Sequence, residues 1–393
     1  MLTFEEAIQI VLKHSRPLPV VNTPIEDAVG RTLLEDIRSG LEMPPFNKSA
    51  VDGYALRAGE LREGCALKCL GVVQAGENFK GTLKPGCCVK IMTGAPVPAG
   101  ADAVVMVEYA SERDGFVKFT EGIRKGANIA LRGEDIKKGQ KILSRGTVLG
   151  ISHIAVLAAV GRSHVKTGAL PKVALINTGG EIVPPGTKLA GNRIYNSNGP
   201  MLAAMLKTDN ICAAPVIVRD DARKMKAALA KALKADIVLI SGGVSMGDYD
   251  LVPAVLKSLG VRVIFHKVRV RPGKPLLFGV KGRKLVFGIP GNPVANFMAY
   301  LAYVRPAIHK LGGRPAYAPE FKTGVCAAKF DPRTPRRALV LSKVKAVCEY
   351  SLSAVYNNGS ADILALAQAG GFTMVEENGS IGKGEKAKFI TWL

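Results

Sequence analysis

Between residues 169 and 311 short apolar runs alternate with amphipathic segments, and this alternation restricts the fold more than any other feature of the chain. The runs VALINT, AAPVIV, DIVLIS, VRVIF, PLLFGV and KLVFGI read as strands. The intervening segments have helical spacing: one covers Gly199–Lys207, and DLVPAVLKSL is another. In DDARKMKAALAKALKA, Asp220 can cap, and Met225, Leu229, Ala232 and Leu233 make the buried stripe. PGNPVANFMAYLAYVRPAI is a last helix opened by proline. The pattern predicts one doubly wound α/β domain with a parallel sheet. Two of its strands empty into glycine turns that carry acids, VALINTGGE closing at Glu181 and DIVLISGGVSMGDYD closing at Asp248 and Asp250. Parallel strands deliver their carboxyl ends to one sheet edge, where ligands bind. Glycines let backbone N–H groups approach an anion, and acids can hold a metal against it. Glu181, Asp220 and Asp250 on one edge repel one another unless a cation lies between them, so the expectation is a phosphate with Mg²⁺.

At 393 residues the chain exceeds the roughly 250–300 at which one core stops growing, so several domains are expected. Residues 1–44 read as helical, with Thr3 and Glu6 as a capping box and EDAVGRTLLEDI as a second amphipathic piece. From 45 to 135, glycines and prolines punctuate short β-type runs such as CVKIM and DAVVMVE, which predicts a β-rich insertion. Residues 136–168 include the helix-compatible GISHIAVLAAVG and rejoin the first segment as an N-terminal linker domain. After the α/β domain of 169–311, residues 312–393 are β-rich with glycine turns, a small barrel or sandwich.

Composition narrows the function classes. No apolar run reaches the roughly 18 residues of a membrane span. MLTFEEAIQIVLKH has acids where a signal peptide is basic, which predicts a cytoplasmic protein without membrane association. Seven cysteines, an odd number, suit a reducing compartment. Cys65, Cys69, Cys87 and Cys88 match no C-x₂-C zinc spacing, and small apolar filler is the simpler reading. The net charge of +22 attracts anions of any kind. It is spread along the chain without a basic tail or a nucleic-acid-binding motif, so an anionic small molecule is the expectation and no specific nucleic acid is.

Gly243–Gly247 spells G-x-S-x-G around Ser245, but the triad order of a hydrolase needs an acid and then a histidine downstream. Only His266 and His309 follow, with no suitable acid before them. The preferred reading has Gly242, Gly243 and Ser245 presenting donors to a phosphate while Asp250 faces a cation. Thr178 and Gly179 open the matching TGGE turn. In RVRPGKP, Arg271 and Lys274 bracket a Pro-Gly turn and can meet one oxyanion. IPGNP sets Pro290, Gly291 and Asn292 before a helix N-terminus, a second anion-friendly position. The insertion offers polar-tipped loops holding Asp52, Thr93, Arg132, Glu134 and Asp135.

Taken in order, PPFNKSAVDGYA, IMTGAPVPAGADAVV, NIALRGEDI, TGGEIVPPG, IYNSN, SGGVSMGDYD, RPGKP, PGNP and NNGSADILALAQA resemble the molybdopterin molybdotransferase family, and are similar to the C-terminal domain of gephyrin. The resemblance spans nearly the whole chain. It implies a Mg²⁺-dependent homodimeric enzyme that takes adenylylated molybdopterin and molybdate and releases molybdenum cofactor and AMP, with a molybdopterin adenylyltransferase as an upstream partner. Its cleft would be shared between the α/β domain of one chain and the insertion of the other. On that resemblance Asp52, Thr93 and Asp135 come from the insertion, and Thr178, Glu181, Asp220, Ser245 and Asp250 from the α/β domain. Arg271, Lys274, Arg337 and Ser360 form the molybdate side. The chain departs from the family pattern at Gly180, Arg271, Ala130 and Ala295. The alternatives are a related pterin-binding scaffold and an adenylyl-transfer protein that inserts no molybdate.

Overall fold

Six strands carry the site: β1 (Val173–Thr178), β2 (Pro215–Val218), β3 (Ile237–Ser241), β4 (Arg262–Lys267), β5 (Pro275–Lys281) and β6 (Lys284–Ile289). The computed structural model to which they belong describes residues 1–62, 64–244, 251–346 and 348–392. The sheet order is β2-β1-β3-β6-β5-β4. The first four strands are mutually parallel, as the alternation predicts, but the sheet as a whole is mixed. β5 runs antiparallel to both β6 and β4. The reason lies in the connection: Lys281 pairs with Lys284 across a two-residue turn in which Gly282 takes φ +61°. A two-residue link can only make a hairpin, because a parallel crossover needs a dozen residues or more.

Helices cover both faces. They are α1 (Phe4–His14), α2 (Asn198–Thr208), α3 (Ala222–Ala232), α4 (Leu251–Ser258), α5 (Pro293–Ala299) and α6 (Arg305–Leu311), with a π-helical turn at Tyr300–Val304 joining the last two. Strand alternation sorts the side chains. Leu175, Leu239 and Phe287 pack with α1, α2, α5 and α6, whereas Ile176, Val238, Ile240 and Val286 pack with α3 and α4. The stripe of α3 is buried as expected at Met225, Leu229 and Ala232, with Leu233 just beyond it. The capping box of α1 also forms, Thr3 N–H donating to Glu6 Oε2 (2.8 Å) and Glu6 N–H to Thr3 Oγ1 (3.2 Å).

Two local expectations fail. EDAVGRTLLEDI is not a helix beyond a 3₁₀ turn at Ile25–Asp27. Gly30 adopts φ +79°, and the N–H groups of Leu33 and Leu34 donate to Thr147 and Lys166 instead of to their own helix. Tertiary hydrogen bonds override a moderate helical pattern. The cap of α3 is Asp221, which accepts from Lys224 N–H at 2.7 Å, leaving Asp220 outside the helix.

The C-terminal segment closes into a five-stranded barrel. Arg337–Ala346 pairs on one side with Tyr350–Ala354 and on the other with Gly371–Val375, and Lys322–Cys326 and Lys386–Thr391 complete the ring. Phe330, Leu352, Val375 and Phe389 fill it. The two-residue strand Val270–Arg271 lies parallel against Arg337 and Ala338, continuing the barrel outward. By internal contacts, residues 1–34, 146–150 and 164–393 form one unit, and 35–145 with 151–163 form the other. The second unit is built on a six-stranded sheet in the order Ala103–Met106, Gly53–Leu56, Cys87–Ile91, Ala66–Val73, Phe116–Phe119, Ala110–Arg113. Cys88 is buried there and, like the other cysteines, a free thiol. Burial pushes its pKa up to about 12. The helix Ile151–Ala159 of this unit buries only Leu157 and leaves Ile151 83% exposed. Among the described residues no helix is long and apolar enough to cross a membrane.

Candidate active site

The carboxyl ends of β1, β2, β3 and β6 open onto one cleft of about 1230 Å³. The glycines there are required by geometry. Gly179 takes φ +148°, Gly242 +88° and Gly243 +62°. A Cβ on Gly242 would stand 2.7 Å from the Thr178 carbonyl oxygen, and one on Gly243 would stand 2.6 Å from Thr178 Oγ1. The two turns therefore interlock too closely for side chains. Gly242 N–H donates to Ile289 C=O (3.2 Å) and Gly179 N–H to Val218 C=O (3.2 Å), tying each turn to a neighbouring strand end.

Glu181 and Asp220 flank the first turn. Gly180 N–H donates to Asp220 Oδ2 at 2.9 Å, which is possible because Asp221 caps α3 in its place. The Glu181 carboxylate forms no hydrogen bond or ion pair among the described residues and lines the cleft with Asp220. These two are the only charged groups among the described lining residues, and no lysine or arginine joins them. In a chain of net charge +22 the cleft is locally acidic. Two carboxylates lining one cleft, with both Glu181 oxygens and Asp220 Oδ1 unpaired among the described residues, suit a hard divalent cation. Among the described residues no cluster of three or more potential metal ligands occurs. Asp250, the expected third acid, lies outside the described residues, as do Ser245 and Asp248.

Beneath the turns runs a buried amide network. Asn198 Nδ2 donates to Gly291 C=O (2.6 Å) and Ser241 Oγ (3.1 Å), and Asn296 Nδ2 donates to Pro290 C=O (2.9 Å) and the same Ser241 Oγ (2.8 Å). Carbonyl partners fix which amide atom is nitrogen. The network clamps the Pro290–Gly291 turn onto the end of β3. Asn177 Oδ1, Thr178 Oγ1 and Asn198 Oδ1 are buried without a hydrogen-bond partner among the described residues, and these three residues line the same cleft. Asn177, Ser241 and Asn296 were not singled out from sequence; the available signal was a polar residue inside an otherwise apolar strand or helix. Asn292 Nδ2 donates to Ser360 Oγ (2.8 Å), and Val294 N–H to Ser360 C=O (3.1 Å), which brings Ser360 to the rim.

The expected cations are placed differently. Arg271 and Lys274 are exposed and neither lines the cleft, although Pro275 does. Arg271 Nη1 donates to Pro332 C=O at 3.3 Å. Arg337 pairs with Glu5 and with Glu376, so its charge is compensated away from the cleft. In the second unit Asp52 Oδ1 accepts from Thr93 N–H (2.6 Å) and Thr93 Oγ1 (2.7 Å). These bonds hold the Asp52 carboxyl below the usual carboxylate range, the backbone donor contributing most. Asp135 is exposed, and Arg132 pairs with Glu42.

An α/β sheet whose parallel strands end in glycine turns and paired acids, at the point where β1 is flanked by strands reached in opposite directions, defines a protein that binds a small ligand at its topological switch point. Comparison with known proteins gives the particular lineage. Residues 2–161 match the MoeA N-terminal region (domain I and II), and residues 174–310 match a probable molybdopterin binding domain. The chain is similar to the molybdopterin molybdenumtransferase of Staphylococcus epidermidis, with 32% identity over 95% of this chain and 91% of that one. The Haemophilus influenzae molybdopterin molybdenumtransferase is 35% identical over 80% of this chain and 78% of that one. Among solved structures, the molybdopterin biosynthesis moeA protein from Pyrococcus horikosii superposes with a TM-score of 0.80 at 32% identity, covering 100% of this chain and 99% of that one. The chain belongs to the molybdopterin molybdenumtransferase family.

Proposed function

We infer that this protein is a molybdopterin molybdenumtransferase that inserts molybdate into adenylylated molybdopterin and releases AMP, in a Mg²⁺-dependent reaction. The observation that carries the reading is the acidic cleft: Glu181 and Asp220 are its only described charges, yet the substrate is a pyrophosphate. An anion enters such a cleft only with a cation, and the oxygen donors present fit Mg²⁺. Glu181 and Asp220 would hold it, with Asp250 as the proposed third ligand. When bound, the ion neutralises charge on the pyrophosphate and the leaving AMP. The chain's own residues do the rest. The N–H groups of the Gly179 and Gly242–Gly243 turns orient the phosphates, with Thr178 and Ser245 as hydroxyl donors. Pro290, Gly291 and Asn292 shape the opposite wall.

Molybdate is a dianion and needs a cation near the substrate's dithiolene. Of the expected set, Lys274 is exposed and forms no ion pair among the described residues, so it is the cation most available to an oxyanion. Ser360, held by Asn292, is assigned as a hydroxyl donor to the same oxyanion, and Arg271 and Arg337 are assigned to the same side. Asp52, Thr93 and Asp135 are assigned to the cleft of a second copy in a homodimer. The exposed apolar helix Ile151–Ala159 supports a dimer, since an uncovered face of that kind favours association. A cytoplasmic location suits the free cysteines, and a molybdopterin adenylyltransferase would supply the substrate.

The test is AMP release by the purified protein from adenylylated molybdopterin. Release should require both molybdate and Mg²⁺. Glu181→Gln combined with Asp220→Asn should raise the Mg²⁺ concentration for half-maximal rate roughly 10–100-fold. AMP release that survives chelation, or that the double variant leaves unchanged, refutes the assignment.

A further inference from the structure

A second cavity of about 1080 Å³ in the first unit is unrelated to the cleft and differs from it in charge. It is bordered by α1, α2, the α5–α6 helices, the segment 314–322 and the barrel strand Lys386–Thr391 with Trp392. Its apolar walls are mostly aliphatic and include three aromatic rings, Phe297, Tyr317 and Trp392. Phe297 and Trp392 meet edge to face with centroids 4.6 Å apart, and Tyr317 stands under Lys310 Nζ at 4.8 Å. Cavities of this size with apolar and aromatic walls and a few polar groups are the usual form of a small-molecule site.

Its polar side carries a positive surplus. Asp209 and Glu320 are the acids of the lining, against Arg305, Arg314 and Lys322. Asp209 is already spent, accepting from Tyr300 OH (2.7 Å), Arg305 Nε (3.0 Å) and His309 Nε2 (3.2 Å). Burial alone would raise its pKa, but these donors and the Arg305 charge outweigh burial and keep the carboxyl ionised, below its ordinary value. Arg314 Nη1 lies 3.0 Å from His309 Nδ1 and 3.1 Å from its Nε2. An imidazole carries no negative charge in either protonation form, so His309 offers Arg314 no compensating charge. Neither Arg314 nor Lys322 forms an ion pair among the described residues, and Lys322 Nζ instead contacts Tyr350 OH at 3.2 Å. A guanidinium whose charge the protein leaves unbalanced, in a recess lined by aromatic rings, is matched by one class of ligand.

We propose that this cavity is a second ligand site, taking a small planar aromatic anion whose ring lies among Phe297, Tyr317 and Trp392 and whose acidic group meets Arg314. Trp392 is the single tryptophan of the sequence, so the site carries its own reporter. The probe is 8-anilinonaphthalene-1-sulfonate added to the full chain, with N-phenyl-1-naphthylamine as the uncharged counterpart. The sulfonate should quench Trp392 emission saturably with one-to-one stoichiometry and bind at least tenfold tighter than the amine. Arg314→Gln should weaken it about tenfold, the scale of one charge-assisted hydrogen bond, without changing the amine's affinity. Should Arg314→Gln fail to fold, Lys322→Gln serves, with an expected loss of about threefold. No saturable change at Trp392, equal affinity for the two probes, or indifference to the folded variant each overturns the proposal.

Discussion

Replacing Gly242 with alanine tests the claim that the two glycine turns interlock. Two costs act at this position. Gly242 sits at φ +88°, where an L-residue costs about 1–2 kcal/mol. Its new Cβ would also stand 2.7 Å from the Thr178 carbonyl oxygen, a backbone atom that cannot rotate aside. Overpacking of that kind costs about 1–3 kcal/mol. The sum, about 2–5 kcal/mol, has to appear as lost stability or as displacement of the loop that presents donors to the cleft. Gly282→Ala is the matched control: φ is +61° in the β5–β6 hairpin, and nothing lies within 4 Å of the added carbon. That variant should lose only the conformational part, about 1–2 kcal/mol, and keep full AMP release. Thermal melts and AMP-release rates of both proteins, measured together, decide the matter. Gly242→Ala should melt lower than Gly282→Ala and lose activity. Equal melting points with activity retained in both would refute the interlocked-turn argument.

Two further outcomes follow from the same geometry. Asn296→Ala removes a buried amide that donates to Pro290 C=O and Ser241 Oγ, leaving the Pro290 carbonyl without its donor and Ser241 Oγ with Asn198 Nδ2 alone among the described residues; urea unfolding should register a loss of about 1–3 kcal/mol, and Asn296→Asp should not rescue it because a carboxylate cannot donate. The Asp52–Thr93 pair predicts an acid-side effect: because the folded carboxyl titrates below its unfolded value, its contribution is present above the unfolded pKa and is lost as pH falls through the folded one. Thr93→Val, which keeps the backbone donor and removes the hydroxyl, should move the Asp52 titration, followed by NMR, part of the way back toward the ordinary carboxylate range and reduce the acid sensitivity of the second unit; an unmoved titration would show that the Thr93 hydroxyl is not among its causes.

Much of the α/β domain was legible because its strands are nearly continuous apolar runs and its helices carry clear stripes, signals that survive without tertiary information. What the pattern could not specify was strand direction. A run such as PLLFGV is equally apolar in a parallel or an antiparallel neighbour, and only the shortness of the Gly282–Arg283 link decides. Adjacent acids were equally ambiguous, since Asp220 and Asp221 both suit an N-cap and only the fold shows which is released to the Gly180 N–H. The glycine turns and Glu181 could be read from spacing, because positive φ and carboxylate chemistry both leave local traces. Arg337 left no such trace. Its partners Glu5 and Glu376 lie more than 300 residues apart and neutralise it through contacts that no local motif encodes. The amide network failed to stand out for the same reason, as Asn198, Ser241 and Asn296 acquire meaning only where three distant segments converge.

The short strand Val270–Arg271 belongs by sequence to the link between β4 and β5, yet its ladder partners are Arg337 and Ala338 of the barrel. The RPGK turn is thus stitched to two bodies, one end entering the sheet at Pro275 beside the cleft and the other hemmed to the closed ring. A protein cut after α6 would strip that seam of its hydrogen bonds and leave Lys274 on an untethered loop. The C-terminal module would for this reason anchor the cation side of the proposed chemistry, and on that reading excising it should impair oxyanion capture even if the cleft itself survives intact.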